Sequence, residues 1–161
     1  MRKCLSLLFL FLISNVFSQE NEYFIDANFD VNNRLVEIYQ TIDFTNTTSN
    51  NLNYIILNDW AHSYFRPTTP LGKRLSEDFT LNFQRSTKNQ RGFTTIIDIK
   101  SDSTILDHTR LKENIDLVKV KLKNLLNPNE KITITIEYKI KIPISDFTGY
   151  GIDKNDNINL S

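Results

Sequence analysis

Cysteine, histidine and glycine are scarce in this 161-residue chain, and each scarcity excludes a chemistry. The one cysteine, Cys4, cannot build a disulfide framework, so stability must come from packing. The two histidines, His62 and His108, stand far apart and in no metal-ligand spacing such as HExxH. Four glycines make no phosphate-cradling loop; only Gly149 and Gly151 lie close together, around Tyr150, where they let the backbone turn. No GxSxG nucleophile elbow is present. Lysine plus arginine equal aspartate plus glutamate at 19 each. Nothing in that balance attracts nucleic acid, and no cluster of basic residues is expected on one element.

The long apolar run is at the N-terminus. Arg2 and Lys3 give a positive start, Leu5 to Ile13 is almost wholly apolar, and Val16-Phe17-Ser18 places small residues for cleavage after Ser18. This pattern predicts a secretory signal over residues 1–18 and a periplasmic or secreted product. The run falls short of the ~18–20 residues that a spanning helix needs, and Asn15 interrupts it, so no stable membrane anchor is expected. Cys4 lies too early, without small residues before it, for lipid attachment, and leaves with the signal. Loss of Arg2 and Lys3 leaves 17 basic residues against 19 acidic ones. Residues 19–161 suffice for one domain, incomplete at its C-terminal end on the family reading below, that buries roughly two-thirds of its extended surface.

Period-two alternation dominates that domain. Over Lys131–Ile142, residues Ile132, Ile134, Ile136, Tyr138, Ile140 and Ile142 share one face, and Lys131, Thr133, Thr135, Glu137, Lys139 and Lys141 the other. In "YFIDANFD" the residues Tyr23, Ile25, Ala27 and Phe29 alternate with Phe24, Asp26, Asn28 and Asp30. Asn32-Asn33 tolerates the left-handed turn that leads into "LVEIYQTIDFTN", where Val36, Ile38, Ile42 and Phe44 point inward. Gln40 interrupts that face and demands a partner or a bulge. "LNYIILN" (Leu52–Asn58) is nearly continuous in apolar residues, as for a strand covered on both faces. "FTTIIDIKS" is a further strand, and "NIDLVKVKL" another with Val118, Val120 and Leu122 inward. Asn127-Pro128-Asn129 marks a turn. Thr69 as N-cap, Pro70 at the first position, and Leu71, Leu75 and Phe79 at spacing four predict one short helix over Pro70–Asp78. The class is all-β: an antiparallel sandwich with one short helix, and no internal repeat or low-complexity segment.

Candidate chemistry is sparse. Asp59 and His62 could pair if the chain is locally helical, and Asp107 adjoins His108; a zinc site would need these two distant loops to converge. The plainer expectation is a hydrogen-bonded His62 beside Trp60 and a surface His108 in a turn. Glu77-Asp78 reads as a solvated face. Trp60, Tyr64, Phe65, Phe79 and Phe83 could form a glycan platform, but their scatter favours core and edge packing. Asn46-Thr47-Thr48 is formally a glycosylation acceptor, a triplet that arises easily by chance in an Asn/Thr-rich chain. No residue is nominated as catalytic, cofactor-binding or metal-binding.

In order, "YFIDANFDVNNRLVEIYQTIDFTNTTSNNLNYIILNDWAHSYF", "TPLGKRLSEDF", "VKVKLKNLLNPNEKITITIEYKIKIP" and "FTGYG" resemble the N-terminal β domain of the aminopeptidase N-like zinc metallopeptidases, in their secreted bacterial form. Asn129 stands where that family usually has glycine. The resemblance spans essentially the whole mature chain, and its motifs are structural. It implies a saddle-like sandwich that packs on a catalytic domain and walls a peptide cleft. Family members continue into that domain, which carries a Gly-x-Met-Glu-Asn-like loop and HExxH with a distant glutamate; none of these is present here. The resemblance thus implies zinc for a full-length parent and none for this chain. The other reading is a stand-alone exported sandwich that binds a peptide, glycan or protein partner.

Overall fold

The computed structural model describes residues 21–160; the expected signal at 1–18 lies outside them. Ten strands, β1 (Glu22–Asp30), β2 (Leu35–Thr45), β3 (Leu52–Asn58), β4 (Phe93–Ser101), β5 (Thr104–Ile105), β6 (His108–Arg110), β7 (Leu117–Leu126), β8 (Lys131–Lys141), β9 (Gly151–Ile152) and β10 (Ile158–Asn159), accompany one α-helix, α1 (Pro70–Glu77). Two 3-10 helices, Trp60–Phe65 and Ser145–Phe147, complete the set. A five-stranded sheet in the order β1-β2-β8-β4-β5 faces a three-stranded sheet in the order β3-β7-β6, and all their pairings are antiparallel. The all-β expectation holds.

The alternation in β8 places Ile134 and Ile136 in the core, where they meet Ile42, Ile55, Ile99, Val118, Val120 and Leu122. Gln40 finds its partner in Tyr138, whose hydroxyl donates to Oε1 at 2.9 Å. In β4 the inward residues are Ile96 and Ile99, three apart, because a bulge at Ile97 shifts the register; one extra residue on a strand produces such a shift. A second core joins the long 3-10 helix to α1 through Tyr64, Leu71, Leu75, Phe83, Phe147 and Tyr150. Thr69 caps α1, accepting from Gly72 N at 3.2 Å. Gly151 has φ +140, and a Cβ there would lie 2.5 Å from Pro143 O, so only glycine fits.

Several expectations are corrected. The β1 residues Tyr23, Ile25, Ala27 and Phe29 lie on the inward side, opposite Ile42, Gln40, Ile38 and Val36, yet all four are exposed. Alternation fixes which side a residue takes, but not whether a second sheet reaches it. β3 is covered on one face only: Tyr54 and Ile56, on the outer side of the three-stranded sheet opposite Lys121 and Lys119, are each 43% exposed. Phe79 leaves the apolar stripe of α1: its φ is +56, past the helix end, and it is 90% exposed. The hairpin turn puts Arg34, at φ +55, in the left-handed region, while Asn33 instead hydrogen-bonds the Asp30 carboxylate. His108 lies in β6, paired opposite Val120, not in a turn. Lys119, Lys121 and Lys123 do gather on one element, on the exposed side of β7.

The sequon residue Asn46 is fully buried. Its Nδ2 donates to Asn50 O at 2.8 Å and Leu126 O at 2.9 Å, and its Oδ1 accepts from Thr48 N at 3.0 Å. Its backbone meets Glu130 O and Asn129 N, so one side chain ties the end of β2 to the β7–β8 turn. Asn129 there has φ +63, the conformation that glycine usually supplies. Asn46→Ala is therefore expected to cost about 2–3 kcal/mol through orphaned buried groups, whereas Phe79→Gly, which relieves a left-handed phenylalanine, should be neutral or stabilising by up to ~1 kcal/mol. Urea unfolding midpoints of the two variants measure both.

Candidate functional site

The five-stranded sheet is wider than the three-stranded sheet that faces it. Its inward side therefore carries an uncovered apolar margin along β1, where Tyr23 is 57%, Ile25 61% and Phe29 45% exposed. Inboard of that margin a cleft of about 540 Å³ opens between the sheets. Tyr23, Phe44, Ile55, Leu57 and Ile96 line it, with Gln40, Tyr138, Asp59 and Trp60 as its polar and aromatic members. Burial pushes the Tyr138 phenol above its ordinary pKa, and the Asp59 charge adds to this.

A polar seam lies beside the cleft. The Asp59 carboxylate accepts from Arg110 Nη2 at 2.7 Å and from Thr94 Oγ1 at 2.6 Å. Asp59 N donates to Asp116 O at 2.6 Å, and Ser63 Oγ to Asp116 Oδ2 at 3.3 Å. The other oxygen, Asp116 Oδ1, is buried without a protein partner among the described residues. His62 sits in this seam, buried, with its Nδ1 in hydrogen-bond reach of both the carbonyl and the amide of Thr94 at 3.1 and 3.2 Å. Its ring stacks on Phe65 with centroids 5.1 Å apart. The segment is locally helical, as an Asp59–His62 pairing requires, but the Asp59 carboxylate turns to Arg110 and Thr94.

These bonds join the segment 59–63 to β4, to β6 and to Asp116. Arg110 and Thr94 engage the carboxylate that could have served as a base. Among the described residues the His62 ring hydrogen-bonds to the backbone of Thr94. His108 pairs opposite Val120 in the three-stranded sheet, and the two segments approach each other through Arg110 of the same strand, which meets Asp59. Among the described residues no three His, Cys, Asp or Glu side chains are grouped to hold a metal ion. Of the aromatic set, Tyr64 and Phe83 are core, Trp60 packs edge-on to Tyr64 and Tyr150, and Phe65 and Phe79 are exposed. They make no shared platform. Sequence reasoning missed Arg110, Thr94 and Asp116, which come from distant strands and loops and leave no local spacing signal.

No protein-family model matches the chain, and no curated protein matches it in sequence.

Burial holds the His62 imidazole below its ordinary pKa of 6.5, helped by the Arg110 charge and opposed by Asp59, the Thr94 backbone and Asp116. The unfolded chain thus takes up the proton first as pH falls. The stability carried by neutral His62 is complete above about pH 6.5, declines below it, and stops declining once the pH passes the folded-state value. His62→Gln removes this titration, so the unfolding midpoint in urea should lose its slope just below pH 6.5, whatever its absolute value.

Proposed function

We propose that this chain is the non-catalytic N-terminal β domain of a secreted, aminopeptidase-like zinc metallopeptidase. In that protein it packs on a catalytic domain and helps wall the peptide cleft. One observation carries the reading: the apolar margin on the inward side of the five-stranded sheet, where Tyr23, Ile25 and Phe29 stand uncovered beside an open cleft. Contiguous apolar surface of this kind marks an interaction site. The ordered motifs that resemble the aminopeptidase family support a catalytic domain as the cover. Peptide hydrolysis belongs to that domain, where zinc would polarise the scissile carbonyl and lower the pKa of its water. This chain contributes surface and shape.

A specific observation favours the second reading, a stand-alone exported sandwich. Ile152 is buried against Val36 and Ile142, and β9 pairs with β10, so the last described segment packs on the domain.

Reading the native coding sequence past codon 161, with an immunoblot of the secreting cell, separates the two. A frame that continues into HExxH, with a band several times larger than a 161-residue product, is the expected result. A stop codon after Ser161, with a band of the signal-cleaved chain, would remove the enzyme reading and leave the binding module.

A further inference from the structure

The strand β1 has a free edge among the described residues: it pairs with β2 on one side and ends the sheet on the other. Roughly half of its backbone N–H and C=O groups therefore point away from any ladder. Natural edges are blunted by proline, lysine or a bulge. Here "EYFIDANFD" contains neither residue, and its register with β2 is unbroken from Glu22↔Asp43 to Asp30↔Leu35. Such an edge accepts another strand.

Charge decides which strand. On the outer face of the sheet, β2 presents Glu37 and Asp43, and β8 answers with Lys139 and Lys131. Lys131 Nζ lies 2.9 Å from Asp43 Oδ2, and Lys139 pairs with Glu37. An acidic strand beside a basic one is thus a pattern the sheet already uses. At the free edge the pattern is unfinished. The outer face of β1 carries Glu22, Phe24, Asp26, Asn28 and Asp30: three acids, an exposed phenylalanine, an asparagine and no basic residue. Glu22 lies opposite Asp43, acid against acid, and Asn28 opposite Glu37. Asp30 is tied to Asn33, while Asp26 has no hydrogen bond or ion pair among the described residues. The opposite face of the same strand offers Tyr23, Ile25 and Phe29.

We propose that the free edge of β1 is an acceptor site for an extended peptide segment whose side chains alternate apolar and basic. The backbone completes the ladder, the apolar residues extend the margin formed by Tyr23, Ile25 and Phe29, and the lysines or arginines face Glu22, Asp26 and Asp30. A second copy of this chain is disfavoured as the occupant. In the fully overlapped antiparallel register Asp26 would face its own mate and Glu22 would face Asp30, and like charges directly opposite destabilise a pair. The site does not depend on the docking reading, since an edge is completed by backbone pairing whether or not a domain covers the face.

The test uses the full chain and two labelled nine-residue peptides, one alternating lysine with valine and one alternating glutamate with valine. Fluorescence anisotropy measures binding, and amide hydrogen exchange by NMR locates it. The lysine peptide should bind and slow exchange at alternate β1 amides, with affinity falling about tenfold or more between about 0.05 M and about 0.5 M salt. Asp26→Lys, at an exposed and unpaired position, should weaken the lysine peptide about tenfold and strengthen the glutamate peptide. Glu22→Lys provides a second reversal should the first variant misfold. Equal binding of both peptides, protection away from β1, no binding at all, or self-association that protects the same amides would each overturn the proposal.

Discussion

The ladder between β2 and β8 is the constraint from which the rest of this fold follows. Leu35 to Thr45 pair residue for residue with Lys141 to Lys131, and β8 is also bound by β4 on its other side. Because the side-chain period is two, a slip of one residue would turn Ile134 and Ile136 to solvent and Thr133 and Thr135 to the core. The fully buried Ile134 therefore fixes the register of three strands at once. It also fixes what the second sheet must present, namely Val118 and Val120 of β7, which are buried to the same degree. Asn46 then locks the relation between the sheets by satisfying backbone groups of both the β2–β3 connection and the β7 end with one amide.

Much of this was legible in the sequence wherever the signal was local. The β8 alternation, the Val118–Leu122 alternation and the Thr69-Pro70 helix start each depend on neighbours within a few positions. Gln40 announced a partner because a lone polar residue on an apolar stripe must be satisfied. Width was not legible. Tyr23, Ile25 and Phe29 have the periodicity of buried residues and lie on the correct side, but whether they are covered depends on how many strands the opposite sheet has. Tyr54 and Ile56 of β3 pose a different problem: they lie on the outer side of the three-stranded sheet, opposite Lys121 and Lys119, and a continuous apolar run does not say whether anything covers that side. Phe79 fits a spacing of four, yet the backbone leaves helical geometry at that residue, and periodicity cannot register a change in φ.

The buried seam was illegible for a different reason. Asp59, Thr94, Arg110 and Asp116 come from four separate places in the chain, and no spacing links them. Once assembled, they answer what His62 does. A histidine with its Nδ1 bound at the Thr94 backbone, its ring stacked on Phe65 and its neighbouring carboxylate held by Arg110 is a packing residue that joins the long 3-10 helix to β4. Burial disfavours its charged form, so it is a poor choice for a role that needs a proton. An exposed apolar face and a free sheet edge lie elsewhere, along β1.

Those surfaces arise from one mismatch, five strands facing three. The overhang leaves an apolar face and a free edge on the same strand, and the two impose different demands on a partner. Apolar contact on the face supplies affinity but little direction, because burial is proportional to area and not to geometry. Backbone pairing along the edge is directional and sets a register, and the acids at Glu22, Asp26 and Asp30 add a preference of sign. A partner that used only the face could dock in several orientations; one that used the edge could dock in few. Specificity on this domain is therefore to be sought at the backbone of β1, with the exposed aromatics beside it adding strength to a choice that hydrogen bonds and charge have already made.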